Sequence, residues 1–432
     1  MSTLKVNKLR DTAGSADAIT LDPNGGAVLA GVTTVTSVKV GAAVTISESG
    51  IEATGVGITC ANINGGQIGG RRNIIINGAM QVAQRGTSAS VTGGYLTLDR
   101  FETATGGVDE APTQAQVDVA SGTTPYTLGF RKALKVTNGN QTSGAGTSDN
   151  IIALRYHAEA QDIANSGWNY TSSSSNVTLQ FWIKSSVAQS FQGVLTSDDG
   201  TKQIYPFATG SLSADTWTKI TKTIPGNSNL TFNNDNGKGL TLEIIGFSGS
   251  DFANDSATIN AWQARTSGTQ FGRASTSTWY TTNDATLEIT GVQLEVGSQA
   301  TPFEHRSFGE ELTLCHRYFY NVLATPESGD NNIIGTGIYY ASDNLFVHIK
   351  FPVVMRTTPT FVETAGSISN HYRAYRGGGT DNFDSFDDGI WEAHNGGAIL
   401  EATSGISGTG GYASFIKTAN SNAKLTAFSA EL

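Results

Sequence analysis

The stretch ATLEITGVQLEVG, residues 285–297, alternates apolar and polar side chains and changes phase once, at Gly291. Leu287 and Ile289 share one face of the pattern, and Val292 continues that face after the glycine. A period of two is typical of a β-strand with one buried face, and a glycine at a phase change indicates a β-bulge. We therefore predict a bulged strand here.

Two further stretches support the same fold class. NVTLQFWIKSS, residues 176–186, alternates in the same way, and DTWTKITKTIPGN, residues 215–227, is a strand pattern that ends at Pro225 and Gly226. Many short strands, clusters of turn residues and no long helical period are typical of a β-sandwich or jelly roll. We predict an all-β chain, with a jelly-roll domain over residues 71–306.

The composition of the chain narrows the possible partners. At 432 residues the chain is long enough for two or three domains, since single cores rarely grow beyond about 300 residues. The net charge is -10, and no basic stripe is present, so we expect no nucleic-acid partner. No stretch of 18 apolar residues occurs and the start MSTLKVNKLRD lacks an apolar segment, so we expect neither membrane insertion nor a signal peptide.

Residues 1–70 show short apolar pairs at a spacing of two, such as Val38 with Val40 and Val44 with Ile46, separated by small residues. Each short strand carries one thin apolar row, so a single chain has little to bury, and other chains would have to cover that row. We predict an N-terminal attachment segment and an intertwined β-repeat shaft. The alternative is a flexible glycine-rich leader.

The stretch PFEHRSFGEELTLCHRYF, residues 302–319, concentrates carboxylates, histidines and a cysteine, as an active site or a structural joint would. Ser307 and Glu310 have the spacing of a capping box, which predicts a helix that starts there. His316 is turned by about 100° from Cys315 on such a helix, so the two side chains do not converge on one metal. We predict a helical joint over residues 307–320 with a structural Cys315. The stripe that supports this helix consists of Phe308, Leu312, Cys315 and Phe319.

Residues 321–432 contain further strand patterns, and we predict a C-terminal β-sandwich that forms the receptor-binding tip. Within it, residues 370–397 are rich in aromatic, charged and glycine residues, and loops on a β scaffold are frequent binding sites. Aromatic rings stack on the apolar faces of sugars, while polar groups take hydroxyls. The predicted receptor-binding residues are Tyr372, Tyr375, Arg376, Trp391 and His394.

Other interpretations of these regions stay open at the sequence level. Asp381, Asp384, Asp387 and Asp388 are candidate calcium ligands, but their spacing does not match the known calcium loop. Two of these carboxylates are also a possible glycosidase pair. Trp391 is as well explained by a core position. A secondary sugar surface in the central domain would use Trp168, Tyr170, Trp262, Trp279 and Tyr280.

Several motifs in the same order resemble the tail-fibre proteins of tailed bacteriophages, especially marine phages. They include NIIINGAMQVAQRGTS, YLTLDRF, GVQLEVGSQATPFEHRSFGEELTLCHRYF, FPVVMRTTPT and FSAEL. This resemblance implies a homotrimer whose N-terminus binds a tail or baseplate protein. Through LQFWIKSS, WTKITKTI and LEITGVQLE, the central domain also resembles jelly-roll carbohydrate-binding modules. Those modules often carry an Asp pair near calcium in their last strand, which this sequence lacks, so we predict no cofactor and no metal.

We therefore expect a phage tail fibre that adsorbs the virion to a bacterial surface polysaccharide without cleaving it. Its expected location is the virion tail, after assembly in the host cytoplasm. The alternatives are a tailspike-type polysaccharide depolymerase, whose regular β-helix rungs are missing, and a bacterial carbohydrate-binding protein. No nucleotide-binding or hydrolase motif supports an enzyme.

Overall fold

The structure, a computed structural model, describes residues 71–144, 148–266, 270–323, 332–364, 370–386, 389–419 and 425–432, together with the backbone of six short strands before residue 54. The described residues form 28 strands and four short helices. The predicted all-β fold is confirmed. The chain divides into two compact units, Met1–Ala61 and Asn62–Leu432.

The N-terminal unit contains two antiparallel sheets of three strands each. Consecutive strands pair within the chain, as Val40 of one strand does with Val44 of the next. The strands predicted around Val38 and Val44 are confirmed. Pairing with other chains stays a prediction. The strands are β1 (Lys8–Leu9), β2 (Ile19–Leu21), β3 (Ala27–Leu29), β4 (Ser37–Val40), β5 (Val44–Ser47) and β6 (Gly50–Ala53).

A sandwich of two six-stranded antiparallel sheets follows. Its strands are β7 (Ser88–Ser90), β8 (Phe101–Gly106), β9 (Thr113–Asp118), β10 (Lys132–Thr137), β11 (Ile151–Glu159), β12 (Asn176–Ser185), β13 (Ser190–Ser197), β14 (Gln203–Ser211), β15 (Thr218–Pro225), β16 (Lys238–Ser248), β17 (Gln263–Ala264) and β18 (Thr286–Val296). Its short helices are α1 (Thr124–Thr127), α2 (Ala160–Ala164) and α3 (Thr278–Thr281). Sheet one has the order β15-β12-β18-β10-β9-β7, and sheet two has the order β17-β14-β13-β16-β11-β8.

The core of this central sandwich lies between the two sheets, where Leu179, Phe181 and Ile289 are buried together. The bulge predicted at Gly291 is confirmed. The β12–β18 register slips where Gln180 faces Gln293 and Trp182 faces Thr290. Gly291 has a φ of 63°, a backbone conformation that favours glycine.

The predicted joint contains helix α4 (Phe308–His316). Ser307 Oγ accepts from Glu310 N at 3.3 Å and the Glu310 carboxylate accepts from Ser307 N at 2.8 Å, so the predicted capping box is confirmed. Cys315 is fully buried beside Ile76 and Tyr318, and burial raises the pKa of its thiol. The predicted packing position of Cys315 is confirmed.

The apolar stripe of the joint is shorter than predicted. The helix ends at His316, so Phe319 begins a strand and does not extend the helical stripe. Phe308 is 56% exposed and lines a surface cavity with Leu312 and Tyr320.

A second sandwich consists of a three-stranded sheet, β19-β28-β22, and a seven-stranded sheet, β24-β23-β27-β20-β21-β26-β25. Leu345, Val347 and Leu400 from the large sheet share a core with Phe428 from the small one. The strands are β19 (Phe319–Asn321), β20 (Ile333–Ala341), β21 (Asn344–Lys350), β22 (Thr360–Thr364), β23 (Tyr372–Arg376), β24 (Gly379–Phe383), β25 (Gly389–His394), β26 (Gly397–Ala402), β27 (Ala413–Thr418) and β28 (Leu425–Ser429).

Buried ion pairs join the two sandwiches. Arg85 and Arg100 of the central sandwich both pair with Glu431, which follows the last strand of the second sandwich. Arg317, which follows α4 in the joint and is 31% exposed, pairs with the buried Glu159 of the central sandwich at 2.6 Å. Among the described residues, no helix is both long and apolar enough to cross a membrane.

Candidate functional site

The outer face of the seven-stranded sheet is the face that points away from the core. Val347 points inward and is buried, so its neighbours Phe346 and His348 point outward. Large apolar side chains lie on this outer face, whereas the solvent-facing side of an antiparallel sheet normally carries polar residues. Exposed apolar side chains gathered on one face make that face a candidate interaction surface. The exposed members include Ile333 (63%), Ile338 (48%), Tyr340 (71%), Trp391 (56%) and Phe415 (38%).

Three of the rings on this face form a continuous row. Tyr340 stacks on Phe346 with a centroid distance of 5.1 Å and an interplanar angle of 23°. Phe346 contacts Trp391 at 5.2 Å and 37°. We call Tyr340, Phe346 and Trp391 the aromatic row. It crosses from β20 over β21 to β25 and presents ring faces and edges to solvent.

A bulge in β25 places Trp391 in the row. The β25–β26 register slips between Ile390 and Glu392, so Trp391 is the extra residue that has no partner in the ladder. Trp391 therefore does not follow the regular alternation of side chains between the two faces of the sheet, and its ring lies against Phe346, two strands away.

A buried polar pair lies at the foot of the row. Glu401 is the cross-strand partner of Phe346, is 4% exposed, and accepts a hydrogen bond from the Asn344 side-chain amide. Asn344 Oδ1 is buried and has no hydrogen-bond partner within the part of the chain that the structure describes. A buried acceptor without a partner is costly unless a donor from water or a ligand satisfies it.

A cavity of about 410 Å³ adjoins Trp391 on the same sheet, lined by His348, Glu392, His394 and Ile399 among others. His394 Nδ1 accepts from Gly396 N at 2.9 Å, so the neutral ring carries its proton on Nε2 and can donate it. Two imidazoles and a carboxylate thus lie beside exposed rings. Such a mixture of apolar faces and hydrogen-bonding groups is suited to a polyhydroxylated ligand.

The predicted residue Tyr375 lies on the outer face, but at the far side of the sheet. Its ring contacts Phe415 at 6.0 Å, and the Lys417 ammonium lies 4.9 Å from its centroid. Hydrogen bonds from Arg373 and Lys417 hold the pKa of Tyr375 below its ordinary value. Five strand spacings of about 4.8 Å separate β23 from β25, so the two strands lie about 24 Å apart across the sheet.

Two of the predicted binding residues require correction. Tyr372 is 1% exposed and packs between Phe383 and Phe386 in the core, so it cannot stack on a ligand. Arg376 lies at 3.2 Å from Asp381, whose carboxylate also accepts from the Tyr339 hydroxyl. Burial opposes ionisation of Asp381, but these hydrogen bonds outweigh it and hold the pKa of Asp381 below its ordinary value. Arg376 therefore belongs to a structural ion pair.

The acidic residues of this region do not converge in the described structure. Asp381 is in the ion pair with Arg376, and Asp384 accepts from the backbone N–H of Asn370. Asp387 and Asp388 lie outside the described residues. Within the described ranges, no group of three or more His, Cys, Asp or Glu side chains is placed to hold a metal ion.

The sequence interpretation missed Tyr340, Phe346 and His348. They belong to the hairpin of β20 and β21, whose sequence GIYYASDNLFVHIK is apolar at both strand parities around the turn. Aromatic residues at successive positions of one strand place rings on both faces of the sheet, which indicates that the outer face also packs against something. This pattern is the sequence signal that would have pointed to the outer face.

The aromatic set predicted as a secondary sugar surface is mostly in the core. Trp168, Trp279 and Tyr280 are at most 3% exposed. Trp262 is half-buried, and its indole N–H donates to Pro225 O at 2.7 Å. These loops are rich in Ser and Thr, but they fold back onto the sandwich because burial of the large apolar surface of their rings is favourable.

A polar cluster on sheet two also has the residue types of a catalytic site. Arg155 pairs with Glu243 and with Glu102, the latter at 3.5 Å, and His157 Nδ1 lies 2.8 Å from Thr241 Oγ1. Burial lowers the pKa of His157. Because these charged groups are paired with one another, we assign the cluster a structural role.

No protein-family model matches the sequence, and no curated protein matches it either. Among solved structures, the chain is similar to the enzymatically active domain of tailspike protein 4 from bacteriophage CBA120, with 8% identity, a TM-score of 0.27, and coverage of 52% of this chain and 21% of that one. The chain thus spans about a fifth of the length of that tailspike domain.

Two sugar-binding structures are also similar. A putative sugar-binding protein from Bacteroides thetaiotaomicron has 10% identity, a TM-score of 0.27, and coverage of 52% of this chain and 100% of that one. The N-terminal cellulose-binding domain of Cellulomonas fimi β-1,4-glucanase C has 9% identity, a TM-score of 0.24, and coverage of 46% and 90%. The two-sheet arrangement follows from the strand order given above and does not depend on these similarities.

Proposed function

We propose that this chain binds carbohydrate on the outer face of its seven-stranded sheet. The observation that carries this proposal is the aromatic row, in which Tyr340 and Trp391 remain largely exposed. Aromatic rings offer flat apolar surfaces to the C–H faces of pyranoses, and convergent polar groups fix the orientation of such a ligand. Here His394 and Glu392 provide those groups beside Trp391.

The form of the site favours an extended polysaccharide over a single sugar. Three rings in succession, at centroid distances of 5.1 and 5.2 Å, make a platform that crosses several strands. The adjoining cavity continues the platform beyond Trp391 and adds hydrogen-bonding groups. A ligand with several linked rings would contact all of these features at once.

The biological role that we propose is adsorption of a phage virion to a bacterial surface polysaccharide, without cleavage. The motif resemblance to tail fibres supports this role, and so does the short-stranded N-terminal unit, which fits a shaft attached to a tail or baseplate protein. In a homotrimer, three weak sites would act together, so a low intrinsic affinity would still give firm adsorption.

Binding is tested with the full-length chain on a glycan array, followed by interferometry on the bacterial polysaccharide that scores highest. We expect Trp391→Ala and Tyr340→Ala each to weaken binding about tenfold, which corresponds to ~1.4 kcal/mol of lost stacking and burial. Trp391→Phe keeps a ring and should retain most of the affinity. Phe308→Ala is the matched control, because Phe308 is as exposed as Trp391 at 56% but lies on α4.

Three results would overturn parts of this proposal. Unchanged polysaccharide binding in the Trp391→Ala/Tyr340→Ala double variant would exclude the aromatic row as the site. New reducing ends after incubation of the polysaccharide with the protein would show a depolymerase. A stable folded monomer in analytical ultracentrifugation would refute the homotrimer.

A further inference from the structure

A second cavity, of about 400 Å³, lies on sheet one of the central sandwich. It opens on the face of sheet one that points away from the core. Phe130, Trp182, Phe303 and His305 line it, and Lys219 stands at its side as the cross-strand neighbour of Trp182. This cavity uses none of the residues of the aromatic row.

The walls of this cavity are built by specific backbone features. Phe130 contacts Phe303 at 4.9 Å and His305 at 5.1 Å. The bulge at Gly291 gives the Phe130 ring its space, because a Cβ at Gly291 would come within 2.7 Å of it. His305 Nε2 lies 2.9 Å from Leu128 O, a contact that holds the imidazole in place. The rings are therefore fixed before any ligand arrives.

The charge of the lining is unusual for this chain. The protein as a whole has 37 Asp and Glu residues against 27 Lys and Arg residues, yet no acidic residue lines the cavity and one basic residue, Lys219, does. Among the described residues, Lys219 is exposed and takes part in no ion pair. An ammonium group without a partner beside apolar rings favours an anionic group on the ligand.

We infer that this cavity binds an acidic pyranose, namely a hexuronic acid residue of a polysaccharide. The rings of Trp182, Phe130 and Phe303 contact the apolar face of the sugar, and the Lys219 ammonium pairs with its carboxylate. With its Nε2 proton donated to Leu128 O, neutral His305 keeps Nδ1 as an acceptor for a sugar hydroxyl. The inference is independent of the proposed function, since the two sites share no residue.

The test uses calorimetry with the full-length protein and trisaccharides of galacturonate, glucuronate and mannuronate, each as the free acid and as the neutral methyl ester. We expect at least one free acid to bind, and its methyl ester to bind about tenfold more weakly. Added salt should weaken binding of the acid and leave the ester unaffected. If no acid binds, or if acid and ester bind equally, the inference is wrong.

Variants locate the site. Lys219→Gln should weaken acid binding about tenfold and remove its salt dependence, whereas Lys202→Gln, which removes a charge from the connection between β13 and β14, should leave binding unchanged. Trp182→Phe should weaken binding less than Trp182→Ala, and Lys219→Gln keeps the test valid if Trp182→Ala fails to fold. Normal binding by Lys219→Gln would overturn the inference. So would loss of acid binding in Trp391→Ala, which would place the ligand on the aromatic row.

Discussion

Replacement of Glu431 by Gln should destabilise the contact between the two sandwiches. Glu431 pairs with both Arg85 and Arg100, the first at 3.1 Å, and these two guanidinium groups are 7% and 0% exposed. Burial favours the neutral form of Arg100, but the charge of Glu431 outweighs it and holds the Arg100 pKa above its ordinary value. Glu431→Gln keeps the shape of the side chain and removes this charge.

The expected loss follows from what each arginine retains. Removal of one partner of a buried ion pair costs about 3–5 kcal/mol. Arg85 would keep Asp99 at 3.3 Å, and Arg100 would keep the His157 carbonyl and the Tyr318 ring at 3.5 Å. These remaining contacts place the loss at the lower end of the range, about 3 kcal/mol.

Equilibrium urea unfolding of the full chain measures this loss. The matched control is Asp118→Asn, which breaks an ion pair of 2.6 Å with an 81% exposed carboxylate and should cost less than about 1 kcal/mol. An Arg100→Met/Glu431→Leu double variant should be less destabilised than the sum of its single variants. A loss below about 1 kcal/mol for Glu431→Gln would refute the reasoning that burial makes this pair important.

Three further predictions concern stability. Cys315→Ala should lose about 1 kcal/mol, the cost of a small cavity, with glycan binding unchanged; a loss of binding without a loss of stability would make Cys315 functional. Gly291→Ala combines a positive φ with a contact of 2.7 Å to Phe130, so its thermal midpoint should fall by several degrees, and an unchanged midpoint would contradict the bulge geometry. Burial raises the pKa of Asp99 from 3.8 to about 6 in the folded protein. The folded state therefore binds the proton more tightly than the unfolded state, and the resulting stabilisation is fully present below about pH 4 and is lost as the pH rises through 6. Relative to Asp99→Asn, wild-type protein should therefore lose about 1.4 kcal/mol between pH 5 and pH 7.4 in urea unfolding, and an equal pH dependence of the two proteins would be inconsistent with this shift.

Local patterns predicted the strands and the joint well. Gly291 marks a change of phase within one strand, and Ser307 with Glu310 marks a helix start within four residues, so both features are visible without knowledge of the tertiary fold. Strand periodicity would also have separated Tyr372 from Tyr375. They are three residues apart on one strand, and an odd spacing places them on opposite faces, so only one of them was available for binding.

Which residues meet in the candidate site depends on the order of the strands in the sheet, and local sequence patterns do not reveal that order. Phe346 and Trp391 meet across β26, although 45 positions separate them in the chain. The bulge that brings Trp391 outward has no glycine to mark it, unlike the bulge at Gly291. The same applies to Glu431, whose partners Arg85 and Arg100 are more than 300 positions away.

The bulge in β25 also affects which substitutions the chain can tolerate during evolution. Among the strands that the structure describes, β25 is at the edge of its sheet and pairs with β26 alone, and the bulge already interrupts their ladder at Trp391. Substitution of an exposed residue at such a position alters stability by about 0.5 kcal/mol or less. Selection can therefore exchange the ring at position 391 for another side chain, and with it the ligand preference of the proposed site, while the buried layer beneath stays as it is.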